Sequence, residues 1–215
     1  MASRCQKSAS WLRRVTKLLD GADRVRAAAR LAELVRSAGY RATTGFAGTP
    51  YVTWALSENG YVEEAYRLLL QDEMPSWLYQ VAMGATTMWE RWDSVLPDGR
   101  LNDPVMTSLN HYALGSVCDW LYRVVAGIRT AESGYRRILV QPTPGPGIDW
   151  VNASYDSVMG RISVEWRLTR GQFVVAVAVP DGVPTEIVLP DGSRREVMGG
   201  RHTLSVPYER PDRRG

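Results

Sequence analysis

Cysteine, histidine, lysine and phenylalanine are all scarce in these 215 residues, and each scarcity excludes something. Two cysteines, Cys5 and Cys118, build no disulfide framework, and no Cys/His spacing suggests zinc. Two histidines, His111 and His202, leave no room for multi-histidine chemistry. No apolar run approaches the roughly 18–20 residues that span a bilayer, so a membrane is not an expected partner. A formal charge of +3, spread rather than gathered into a stripe, argues against nucleic acid. With 45% hydrophobic and 23% charged residues the chain has the composition of a globular protein, which excludes disorder and fibrous repeats.

The lysines are Lys7 and Lys17; beyond them the basic residues are arginine alone. The first 18 or so residues, Met1 to Leu18, are thus foreign in composition to the remainder of the chain. Trp11, Val15, Leu18 and Leu19 would share one side of a helix there. The segment has no signal-peptide core, because Arg13-Arg14 comes directly after Trp11-Leu12, and a cytoplasmic location is the default expectation.

Tryptophan is abundant by contrast, eight residues against two phenylalanines. Helical spacing runs through Val25, Ala29, Leu31, Leu34 and Val35 up to Gly39, then from Pro50 through Val52 and Leu56 to Asn59-Gly60. It runs again through Val62, Ala65, Tyr66, Leu69 and Leu70. Residues 74–103 mix Trp77, Tyr79, Trp89 and Trp92 with glycine, proline and threonine, which suggests an irregular, functional stretch with one short helix. Ser108 or Asn110 is expected to cap a further helix that carries Tyr112, Leu114, Val117, Leu121, Val124 and Val125. Cys118 and Trp120 on that helix are expected to be buried.

Past Gly134 the period changes to two. Arg137 to Val140 is a strand, Gln141 to Gly147 a Pro/Gly linker, and alternating runs come after it at Ile162–Leu168, Phe173–Val179, Glu186–Pro190 and Thr203–Ser205. Asp181-Gly182 and Asp191-Gly192 stand between them as expected hairpin turns. Short strands at this spacing suggest an antiparallel sheet in a β-sandwich. Helices before strands give two domains in series rather than βαβ units. Asn152-Ala153-Ser154 matches a glycosylation acceptor, a short and common pattern.

The densest polar and aromatic block is Thr86-Thr87-Met88-Trp89-Glu90-Arg91-Trp92-Asp93-Ser94. An indole face stacks on the C–H face of a sugar, and carboxylates serve sugars as hydrogen-bond acceptors and as acids or bases. The competing expectation is that Trp89 and Trp92 are core residues and that Arg91 neutralises Asp93. His111, in the first turn of its helix, would face the helix entrance, although a lone histidine is more often structural.

Four blocks in this order and spacing closely resemble bacterial α-L-rhamnosidases: Gly45-Phe46-Ala47-Gly48-Thr49-Pro50, Pro75-Ser76-Trp77-Leu78-Tyr79, Gly84 to Ser94, and Leu109-Asn110-His111-Tyr112. The resemblance runs from about Asp20 to about Leu204. It implies an (α/α)₆ six-hairpin toroid, only part of which this chain carries, and after it an antiparallel β-sandwich. The expected division is a divergent segment at 1–19, the partial toroid at 20–130 and the β-sandwich at 131–215. The resemblance further implies inverting hydrolysis of terminal α-L-rhamnose, with Glu90 as general base, His111 contacting the sugar, and Trp89 and Trp92 forming or supporting the sugar-site wall. It implies no cofactor, and the partner it implies is a rhamnose-containing carbohydrate.

In this family the general acid lies in an earlier acidic segment, before the Gly-Phe-x-Gly-Thr block, and no such segment precedes Gly45 here. The resemblance therefore suggests an N-terminally truncated or frameshifted fragment. The alternative function is an inactive remnant that at most binds carbohydrate, or one completed by another chain carrying the missing part of the ring.

Overall fold

The computed structural model describes residues 19–102, 105 and 107–209. The Lys-bearing segment and its expected helix lie outside the described residues, apart from Leu19. The chain divides between Val117 and Cys118 into two compact units, a helical one and a β-rich one. None of the described helices is long and apolar enough to cross a membrane.

Among the described residues the first helix of the helical unit is α1, Gly21–Ser37, which buries Ala28, Leu31, Ala32 and Val35. These positions are i, i+3, i+4 and i+7, a single helical face. The face differs from the stripe expected from sequence: Val25 is 68% exposed and Leu34 45%, whereas the small Ala28 and Ala32 are turned inward. Pro50 sits in the first turn of α2, Thr49–Ser57, where its missing N–H costs nothing. The helix buries Val52, Thr53, Ala55 and Leu56. Asn59 lies just past its end, donating through Nδ2 to the Ala55 carbonyl at 2.7 Å and accepting from Arg24 Nε at 2.7 Å. α3, Val62–Leu69, buries Ala65, Tyr66, Leu68 and Leu69, and its buried Glu64 is neutralised by Arg36.

The one short helix expected in the irregular stretch is α4, Trp77–Ala82. The buried Ser76 caps it, its Oγ accepting from the Tyr79 N–H at 3.1 Å. The long helix expected after residue 108 is broken into pieces. α5, Tyr112–Gly115, gives way to α6, Val117–Trp120, and then to a π-helical turn at Leu121–Val125. The cap of α5 is neither Ser108 nor Asn110 but His111, whose Nδ1 accepts from the Ala113 N–H at 3.3 Å. Trp120 is fully buried as expected, but Cys118 is exposed, since the break shifts the face that α6 turns inward.

The second unit is one six-stranded sheet. Its strands are β1 Ile128–Glu132, β2 Arg137–Val140, β3 Trp150–Ser157, β4 Gly160–Thr169, β5 Gln172–Val188 and β6 Arg194–Pro207. Hydrogen bonding runs β1-β2-β5-β4-β3, with β6 also paired to β5. Four pairings are antiparallel; β2 and β5 run parallel, so the sheet is mixed. The long β5 pairs with β4 through residues 172–178 and with β2 through residues 185–187, while β6 accompanies it along both parts. Period-two alternation fills the core from β4 and β5: Val164 lies opposite Val177 and Trp166 opposite Val175, all buried.

Asp191-Gly192 makes the expected turn between β5 and β6. Asp181-Gly182 does not form a hairpin, because β5 continues through it. The β5–β6 register shifts between Val179 and Pro184, so this dipeptide is a bulge in one long strand. Asn152 belongs to β3 rather than to a loop.

Trp166 ties the sheet to its preceding helical turn, donating through Nε1 to the Val125 carbonyl at 2.8 Å. Trp166→Phe leaves that buried carbonyl without its donor and should cost about 1–3 kcal/mol, read as a lower urea midpoint.

Candidate active site

Two segments of the helical unit are laced together. The Glu90 N–H donates to the Ser108 carbonyl at 2.8 Å, and the His111 N–H donates to the Met88 carbonyl at 2.8 Å. Thr87 Oγ1 donates to the Leu109 carbonyl. The block around Glu90 and the block around His111 thus lie side by side although about twenty residues separate them in sequence.

A cavity of about 300 Å³ opens beside them, lined by Thr44, Gly45, Phe46, Glu90, Arg91, Trp92, Asp93 and Leu114. Its floor and rim come from three distant parts of the sequence. The Gly45–Gly48 turn is held by Thr49, whose N–H and Oγ1 both donate to the Gly45 carbonyl, at 2.9 and 3.0 Å. Trp92 is fixed twice: Nε1 donates to the Thr44 carbonyl at 3.1 Å, and its ring meets Trp77 edge-on at 5.2 Å. Trp77 is held in turn by a 2.8 Å bond from Nε1 to the Leu114 carbonyl.

The two carboxylates of the block differ in what they are bonded to. Asp93 receives Arg91 Nε and Nη2, both at 3.0 Å, and Asn102 Nδ2 at 2.9 Å. That carboxylate is consumed by a bidentate pair and an amide, as the neutralising alternative expects. Glu90 accepts through Oε2 from the Ser108 N–H at 2.9 Å; no described residue is bonded to Oε1. One bond fixes the carboxylate and leaves an oxygen open.

Of the aromatic residues expected to gather at a ligand cleft, only Trp92 lines the cavity. Trp77, Tyr79 and Trp89 are 3%, 9% and 3% exposed and belong to the core beneath it. The Trp89 N–H donates to Gln80 Oε1 at 3.1 Å, which anchors the backbone beside Glu90 from below. Tyr79 Oη donates to the Val95 carbonyl at 2.8 Å. Burial, assisted by the charges of Asp93 and Asp98, pushes this phenol above its ordinary value, so it stays a neutral donor.

His111 does not itself line the cavity. Its ring stacks on Phe46, which does, with centroids 4.6 Å apart and planes 18° apart, and on Tyr112 at 5.3 Å and 12°. Phe46 and Leu114 are lining residues that the sequence does not mark as such; the Gly-flanked position of Phe46 in a turn is the available signal for the first. Among the described residues no three His, Cys, Asp or Glu side chains gather as a metal site requires.

An aromatic wall, a fixed carboxylate with one open oxygen and a neighbouring imidazole suit a carbohydrate better than a charged or purely apolar ligand. Comparison with known proteins gives the family. Residues 3–125 match the bacterial α-L-rhamnosidase six-hairpin glycosidase domain, and residues 127–204 match the bacterial α-L-rhamnosidase C-terminal domain. The chain belongs to this family. It is 42% identical over 173 residues to an α-L-rhamnosidase of Streptomyces avermitilis, a match that covers 80% of this chain and 17% of that protein. It is 34% identical over 173 residues to one of Formosa agariphila, covering 80% and 19%. Among solved structures, an α-L-rhamnosidase of Aspergillus terreus superimposes with a TM-score of 0.88 at 38% identity, covering 93% of this chain and 24% of that one. The Streptomyces avermitilis α-L-rhamnosidase complexed with L-rhamnose gives 0.87 at 36%, covering 93% and 21%. The chain thus spans less than a quarter of the length of each of these relatives.

Proposed function

We propose that this chain supplies the general-base side of an inverting α-L-rhamnosidase site, acting on terminal non-reducing α-L-rhamnose. Glu90 is the base: its open Oε1 takes a proton from the water that attacks the anomeric carbon. Trp92 is the sugar-site wall, the buried Trp89 supports it, and His111 contacts a rhamnose hydroxyl. The observation that carries this assignment is the contrast between Asp93, tied to Arg91 and Asn102, and Glu90, whose Oε1 is open at the cavity. The sequence-family boundary belongs close to residue 130, about where β1 starts at Ile128, and the turns from Cys118 to Val125 pack with the β-rich unit although they come before it.

A second reading rests on the same lining. Inversion uses two carboxyl groups roughly 6.5–9.5 Å apart with water between. Among the described lining residues Glu90 is the one carboxylate not engaged by a cationic side chain. In this reading the 215-residue chain binds rhamnosides without turning them over, and a complementing chain that brings the acid restores activity.

Two substrates separate these readings. An alkyl α-L-rhamnoside needs its leaving oxygen protonated; α-L-rhamnosyl fluoride releases fluoride without that help. Turnover of both supports a complete site, and turnover of the fluoride alone supports a base without its acid. Turnover of neither, together with no rhamnose binding by calorimetry, rejects the assignment.

A further inference from the structure

We infer that Phe46 is a positioning residue for His111, holding the imidazole in the tautomer that carries its proton on Nε2. The inference rests on the reading of His111 as a sugar contact. Two independent contacts fix the ring. As the cap of α5, His111 turns Nδ1 toward the Ala113 N–H at 3.3 Å, so Nδ1 is the acceptor and the proton of the neutral ring sits on Nε2. Stacking fixes the plane: Phe46 lies 4.6 Å away on a nearly parallel ring, and Phe46 is itself anchored in the Gly45–Gly48 turn by the Thr49 bonds to the Gly45 carbonyl. Tyr112, 85% exposed, also lies nearly parallel to the imidazole but has no comparable anchor.

The consequence is chemical polarity. With Nδ1 occupied, Nε2–H is the only polar group the ring offers, and no described residue takes it. His111 therefore donates to a hydroxyl oxygen and does not accept from a hydroxyl. Phe46 contributes twice, as cavity wall and as the clamp that keeps the ring in its donating pose. Without the clamp the imidazole populates other rotamers, and apparent affinity falls by the fraction of time the pose is lost.

The test uses the full chain labelled with ¹⁵N at histidine. The sequence holds two histidines, so a His202→Gln variant assigns both ring signals. The unliganded wild type should show His111 with a protonated Nε2 and a pyridine-like Nδ1. Phe46→Ala should shift these signals toward a tautomer mixture and weaken L-rhamnose binding about three- to tenfold, the range expected for one aromatic pair. Phe46→Tyr should restore both. Circular dichroism verifies that each variant is folded, and the half-exposed position of Phe46 on a turn makes loss of folding unexpected. A protonated Nδ1 in the unliganded wild type overturns the inference. So does weaker binding in Phe46→Ala with unchanged His111 signals, which makes Phe46 a wall alone. Nε2–H intact but no rhamnose binding leaves the clamp standing and strikes the sugar-contact reading instead.

Discussion

Glu90→Gln should lower rhamnoside turnover by about 10²- to 10⁴-fold in any polypeptide where this segment supports it, while leaving L-rhamnose affinity within a few-fold. Glutamine keeps the shape of glutamate, and its carbonyl oxygen still accepts the Ser108 N–H that Glu90 accepts at 2.9 Å. The side chain therefore stays where it is. It loses its basicity, because an amide oxygen cannot take up the proton that leaves the attacking water. The loss should appear in kcat and kcat/KM together, the signature of an interaction made in the transition state rather than in ground-state binding. Asp93→Asn is the control within the same block. Its carboxylate is already engaged by Arg91 and Asn102, and a part-exposed ion pair of this kind is worth about 0–1 kcal/mol, so the expected loss is small. Equal losses in the two variants would remove the distinction between the carboxylates.

Gly127→Ala should destabilise the β-rich unit by about 2–5 kcal/mol, combining a left-handed backbone with an unrelievable clash. Gly127 has φ of +85°, and a Cβ there would stand 2.2 Å from the Pro142 nitrogen and 2.4 Å from the Gln141 carbonyl carbon. Both obstacles are backbone, so no rotamer change relieves them. The same place closes the start of the sheet: Gln141 N–H donates to the Gly127 carbonyl at 2.8 Å, and Thr143 N–H to the Val124 carbonyl at 2.9 Å. Urea unfolding monitored by the β-sheet signal in far-ultraviolet circular dichroism measures the effect. A loss below about 1 kcal/mol would show that the two segments do not approach this closely.

Elements whose apolar residues repeat strictly are legible in the sequence. α2, α3, β4 and the first half of β5 fall where the periods place them, because each buries a single face against its own unit. β1 carries no such signal. β3 does alternate, Val151, Ala153 and Tyr155 against Asn152, Ser154 and Asp156, but it ends the sheet, buries neither face fully and carries Trp150 at 70% exposure, so its apolar residues are a weak signal. The bulge at Asp181-Gly182 has the same local chemistry as a hairpin turn; it is distinguished by its place opposite Gly199 on β6, which no local pattern contains. A Cβ on Gly199 would meet the Asp181 Cα at 2.6 Å.

The candidate site is legible by residue type and not by role. The Trp-Glu-Arg-Trp-Asp block announces itself, but nothing in its spacing separates the two carboxylates or the two indoles. Asn102 and Ser108 make the first distinction, through bonds that close only in three dimensions. The second depends on Gln80 and Thr44, which hold the Trp89 backbone in the core and the Trp92 indole at the cavity. The capping role of His111 is hidden because serine and asparagine precede it, both stronger caps by type. Ser108 instead spends its N–H on Glu90.

The most direct measurement is the anomeric configuration of the first sugar released from α-L-rhamnosyl fluoride, observed by NMR before mutarotation. If Glu90 takes the proton of a water that attacks from the face opposite the departing fluoride, β-L-rhamnose should appear first, and Glu90→Gln should slow its formation by about 10²- to 10⁴-fold. α-L-Rhamnose appearing first, or equal release by wild type and Glu90→Gln, would contradict the assignment of Glu90 as the base.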